Sequence, residues 1–109
     1  MISAAVRARY LRDPWPVQIG GLAADLARIA SFSGDSRHKR AVTSLLEEGK
    51  YFAEWSAPQA PLNIQEALCE VQLWLALKDR QWARDCKDPD FEDQARYWSN
   101  RLLQLSGLV

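Results

Sequence analysis

The chain has 109 residues but one histidine, His38, two cysteines, Cys69 and Cys86, and one methionine. That scarcity excludes much chemistry. Structural zinc takes about four Cys/His ligands. Ferritin-like metal sites need paired Glu-x-x-His units, and haem needs an axial His, Cys or Met in a pocket. A lone His38 in the charged run 35–40 supplies none of these. A Ser or Cys nucleophile needs a base beside it, and His38 has no triad pattern around it. Neither G-x-x-x-x-G-K-[ST] nor G-x-G-x-x-G occurs, so a phosphate cradle is missing. Carboxylates do cluster, as Glu66 with Glu70 and as Glu47, Glu48 and Glu54. A divalent ion held by carboxylates alone is conceivable, but the Glu-x-x-Glu pair of helical pyrophosphatases is lacking. The expectation is a non-enzyme with no catalytic residue, no cofactor and no metal site.

Charge of one sign is also lacking. Fourteen Lys/Arg balance fourteen Asp/Glu. A dedicated nucleic-acid binder carries a basic surplus, because phosphate neutralisation dominates its affinity; no nucleic-acid partner is expected. Apolar runs are short, far from the ~18 residues that span a membrane. Arg7 interrupts the first apolar stretch before it reaches the ~7–15 residues of a signal core, which points to the cytoplasm. Cys69 and Cys86 fall in one helical segment, about 25 Å apart along its axis. A disulfide needs Cα atoms closer than about 7 Å, so buried free thiols are expected.

What is present is apolar and helical in period. Hydrophobic residues make up 48% of the chain, with five Trp. One domain fits this length. Breakers at 13–16, 33–35, 57–61 and 88–89 separate four segments, at about 16–33, 36–57, 62–87 and 89–106, each with apolar residues at i, i+3, i+4, i+7. The fold expected is all-α. Residues 1–15 form an N-terminal extension, either frayed or a short helix, and 16–109 a single four-helix bundle with antiparallel neighbours. Gly34 is read as a left-handed helix stop and Asn63 with Glu66 as a capping box. Asp88 is read as the cap of the last helix. Gly49, on the inner face of the second segment, signals close approach of a neighbouring helix or aromatic.

Two surface features invite a partner. The third segment is apolar on two sides. Ile64, Ala67, Leu68, Val71, Trp74, Leu75 and Trp82 form the main face, while Leu62, Cys69, Leu73 and Leu77 lie opposite, flanked by Glu66, Arg80 and Arg84. An apolar patch rimmed by charge marks an interaction site; alternatively a central helix buries both faces. Tyr51, Trp55 and Tyr97 lie off the main stripes of their helices, and Tyr, Trp and Arg are enriched where partners bind. The competing reading is that the N-terminal segment or a twin subunit covers these aromatics, Phe32 among them. The basic series Lys78, Arg80, Arg84, Lys87 reads as a solvated, salt-bridged face.

The runs 45–58 (LLEEGKYFAEWSAP) and 95–108 (ARYWSNRLLQLSGL) resemble segments of a family of short cyanobacterial proteins, a likeness extending from about Val17 onward. The resemblance implies an all-helical bundle. It brings no established activity and no site residue. The function expected is a non-enzymatic protein–protein interaction module acting as a homodimer, docking through Leu62, Cys69, Leu73, Leu77, Tyr51, Trp55 and Tyr97. The alternative is a bundle holding an apolar or pigment-like ligand among Trp74, Trp82 and Trp98, with Gly49 leaving room. A carboxylate-metal enzyme using Glu66 and Glu70 comes third.

Overall fold

The breakers divide the chain much as their chemistry demands. The computed structural model describes residues 2–84 and 88–108. Among them lie five α-helices and two 3₁₀ turns, with no strand: α1 (Ala4–Arg12), α2 (Trp15–Phe32), a turn (Ser36–His38), α3 (Lys39–Ser56), a turn (Ala57–Gln59), α4 (Leu62–Arg84) and α5 (Phe91–Ser106). The undecided N-terminus is therefore helical. Ser3 caps α1 by accepting from the Val6 amide, and Tyr10 anchors it to the core.

Three expected end signals resolve differently. Gly107 (φ 76°) is the one left-handed residue among those described, so Gly34 does not stop α2 by that route. Instead Ser33 Oγ donates to the Ala30 carbonyl. Pro61 holds the cap position of α4, its carbonyl accepting from Ile64 and Gln65. Asn63 thus lies inside the helix, where it makes no capping box. Asp88 caps a turn ahead of α5, accepting from the Asp90 amide at 2.9 Å; the helix begins at Phe91. Lys87, Cys86 and the end of the third segment lie outside the described residues.

The core grows from α2. Its buried positions come in adjacent pairs, Gln18/Ile19, Leu22/Ala23, Asp25/Leu26 and Ile29/Ala30. Pairs repeating every turn make a stripe wide enough to pack on two neighbours, and α2 lies against both α3 and α5. The approach to α5 is close because the residues there are small. Ser99 Oγ donates to the Ala23 carbonyl across the interface at 2.8 Å, and Ala95, Ser99 and Ser106 are buried on α5. Small residues thus take the closest positions, while the larger Trp98 and Leu105 beside them are only partly buried.

On α3, the Gly49 position is closed by its neighbours. A Cβ there would lie 3.2 Å and 3.4 Å from the Leu75 methyls of α4 and 3.6 Å from Leu22 of α2. Gly49 is therefore a site of close helix approach. The space left by its missing side chain is already filled, with no room there for a ligand. Between α4 and α5, Phe91 seals the seam, 5.1 Å from Trp82 and 5.8 Å from Trp74 between ring centres. Each indole N–H is satisfied, Trp82 by the Lys39 carbonyl and Trp74 by Gln94.

Candidate interaction surface

Helix α4 presents two faces because its sequence has two stripes. Ile64, Leu68, Val71, Leu75 and Trp82 are buried against the other helices. The opposite stripe is open to solvent: Leu62 is 72% exposed, Leu73 62% and Leu77 56%. Cys69 is an exposed free thiol in the same line. That exposure corrects the expectation of a buried Cys69; the stripe faces away from the sister helices, and none of the described residues covers it. Leu73 is the outermost point. At 100° per residue its neighbours Gln72 and Trp74 turn to either side. Gln72 bonds the Lys50 carbonyl of α3 and Trp74 bonds Gln94 of α5.

Charge frames the stripe. Glu66, Arg80 and Arg84 are exposed. Lys78 of the basic series is committed within the chain, to Asp88 at 2.9 Å, and Asp79 beside it to Lys50 at 2.7 Å. Tyr97 of α5, 59% exposed, lies beside the N-terminal half of the stripe, sharing a shallow groove with Asn63, Glu66 and Glu70. At the other end an open groove of about 670 Å³ runs between α4 and α5, lined by Trp74, Leu77, Arg80, Arg84 and Gln94.

Tyr51 and Trp55 do not join this surface. Tyr51 lies in the groove between α3 and α4, beside Glu47, Lys50, Gln72 and Asp79. Trp55 is partly buried under α1. Its ring lies 5.9 Å from Tyr10 and 6.0 Å from Phe52, with the Arg7 guanidinium 5.8 Å above it. The N-terminal helix thus covers Trp55. Of the seven residues expected to form one interface, five lie on or beside the outer face of α4.

A second polar cluster sits where the apolar pattern gave no hint of one. Asp25 of α2 is fully buried, and Arg28 bonds its Oδ1. Its Oδ2 meets no donor, and the Glu48 carboxyl of α3 is a neighbouring acid that disfavours its charge. Burial and Glu48 together push the Asp25 pKa up to about 7, against the pull of Arg28. Above the pair, Tyr10 of α1 stacks on Phe52 at 4.0 Å, donates to the Gln18 carbonyl and bonds Ser56 Oγ. Burial pushes the Tyr10 hydroxyl well above its ordinary range. The signal for Asp25 was its register, three after Leu22 and four before Ile29 on a buried face. Among the described residues no group of three or more His, Cys, Asp and Glu converges as a metal site, and none of the helices is long and apolar enough to cross a membrane.

No family profile, curated protein or solved structure matches the chain.

Proposed function

We propose that this chain is a non-enzymatic protein–protein interaction module that works as a homodimer through the outer face of α4. The observation that carries the reading is the line of Leu62, Cys69, Leu73 and Leu77, exposed in a chain whose other large aliphatic side chains are mostly packed. Contiguous apolar surface rimmed by charge is where partners dock. We read α2 to α5 as a four-helix bundle with antiparallel neighbours and α1 as a strap across it. The bond from Trp82, late in α4, to Lys39, first in α3, supports that reading. So does Leu108, just past the end of α5, which lies against Gly20 near the start of α2. The exposed free thiol suits a reducing compartment, the cytoplasm. The likeness to short cyanobacterial bundle proteins is compatible with this and assigns no chemistry.

The test is molar mass by size-exclusion chromatography with light scattering, over a concentration series. The expected mass is twice the 12.4 kDa of one chain, falling to one chain in Leu73→Glu with helicity unchanged. A wild type that stays monomeric throughout, or a Leu73→Glu variant as dimeric as wild type, overturns the reading.

A further inference from the structure

Resting on that reading, we propose that the two copies pair antiparallel along α4, about a two-fold axis beside Leu73. The outer stripe is symmetric in position and opposite in charge around that residue. Counting from Leu73, Cys69 and Leu77 stand four residues to either side. Glu66 and Arg80 stand seven to either side, and Leu62 and Arg84 eleven. At 100° per residue all of them fall within about 40° of the Leu73 direction, and all are exposed. Antiparallel pairing about Leu73 matches residues whose numbers are equally far from it on opposite sides. Leu73 meets the partner's Leu73, Cys69 meets the partner's Leu77, and Glu66 meets the partner's Arg80. Leu62 lies along the aliphatic stem of the partner's Arg84.

Each of these contacts occurs twice, because a two-fold interface uses the same patch on both copies. The charged ends are available for it. Among the described residues neither Glu66 nor Arg80 has an ion-pair partner in its own chain. A parallel arrangement would set Glu66 against Glu66 and Arg80 against Arg80, and the stripe disfavours it. The two-fold axis runs perpendicular to the plane of the paired helices, so both α5 helices lie on one side. Tyr97, beside the Glu66 end of one α4, then faces the partner's groove at Leu77 and Arg80.

Charge reversal tests the pairing, with the dimer dissociation constant measured by sedimentation equilibrium. Glu66→Arg and Arg80→Glu each set like charges opposite one another at two places per dimer. Each is expected to weaken association about tenfold. The double variant exchanges the two ends and is expected to return within about threefold of wild type. Single variants without effect, or a double variant as weak as both losses combined, overturn the antiparallel register. Leu73→Glu would still dissociate such a dimer, so the interface reading would survive that failure.

A cross-link keeps the register falsifiable by a route independent of charge. In a Cys86→Ser background, Cys69 and the partner's Cys69 lie eight residues apart along the antiparallel pair, about 12 Å, beyond disulfide reach. Air oxidation is expected to leave that chain uncoupled. Adding Leu77→Cys brings position 77 opposite the partner's Cys69, and oxidation is expected to trap covalent dimer. Coupling through Cys69 without Leu77→Cys would show a parallel or shifted pair and overturn the register.

Discussion

Replacing Asp25 by Asn separates the charge of the buried carboxyl from its shape. Asn keeps an acceptor for Arg28 and offers an N–H toward Glu48, but it cannot ionise. In the wild type the groups facing Asp25 are Glu48 from α3, Arg28 from its own helix and Tyr10 from α1. Desolvation and Glu48 raise its pKa from the usual carboxylate range to about 7. The folded state therefore binds this proton more tightly than the unfolded chain. Below about pH 4 both states hold it and the stabilising contribution is complete. Between about pH 4 and 7 the unfolded chain releases it first, and stability falls as pH rises. Above 7 both states are ionised and the contribution is gone. A displacement from near 4 to about 7 corresponds to roughly 4 kcal/mol across that window, a large part of the ~5–15 kcal/mol that holds a domain folded. Asp88 acts in a different window. Its bond to Lys78 holds its pKa below the usual range, so its contribution is lost only as pH falls below about 4. Urea unfolding followed by tryptophan fluorescence, at intervals from pH 5 to 8, reads the effect. Asp25→Asn should have a nearly flat midpoint, no better than wild type at pH 5 and clearly above it at pH 8. If the two midpoints run parallel across the range, Asp25 does not carry the proton assigned to it.

Other substitutions test the packing. Tyr10→Phe keeps the stack on Phe52 but strips the Gln18 carbonyl and Ser56 Oγ of their bonds to the hydroxyl. It should cost about 1–2 kcal/mol in urea unfolding, with Trp55 emission shifting to the red as α1 loosens; unchanged stability would deny that Tyr10 pins α1. Gly20 and Gly49 both sit inside helices but should respond in opposite directions. A Cβ at Gly20 meets only the Leu108 tip, at 2.7 Å. That flexible side chain can swing aside, so Gly20→Ala should gain up to about 1 kcal/mol from helix propensity. At Gly49 the Leu75 and Leu22 methyls are fixed in the core, and Gly49→Val should lose about 2 kcal/mol or more through overpacking. Equal melting shifts of one sign would contradict this account.

Hydrophobic spacing revealed the helices because each buries a stripe, and the stripe is written in the apolar residues. It revealed the outer face of α4 for the same reason, a second set of apolar positions half a turn from the first. It left α1 undecided. Nine residues with three arginines bury only Tyr10, and what holds them is a hydroxyl reaching Ser56, 46 residues away. Such contacts depend on tertiary arrangement and leave no local period. Asp25 escaped notice because an acid reads as a break in an apolar face, although its register placed it at the centre of one. On α5 Ser99 and Ser106 are buried while the bulkier Trp98 and Leu105 are only partly so, which apolar content does not signal. The closeness of α2 favours small side chains there, and distance between helices is not a property of either sequence segment alone.

Composition bears on the assembly as well as on the fold. A net charge of zero removes the mutual repulsion that keeps folded chains apart in solution. A leucine line exposed on such a chain is therefore a hazard unless something specific covers it. A head-to-tail contact covers one stripe and leaves another open, and so propagates. A two-fold contact covers both at once and ends the assembly at two copies. Which of these a stripe favours depends on what lies at its ends. Here one end carries Glu66 and the other Arg80, equally far from Leu73. Reversing one chain against the other matches acid with base at both ends, while a parallel pair sets like against like. The same balance that leaves the whole chain neutral is repeated along this single face, and the proposed antiparallel pairing is the arrangement that uses it.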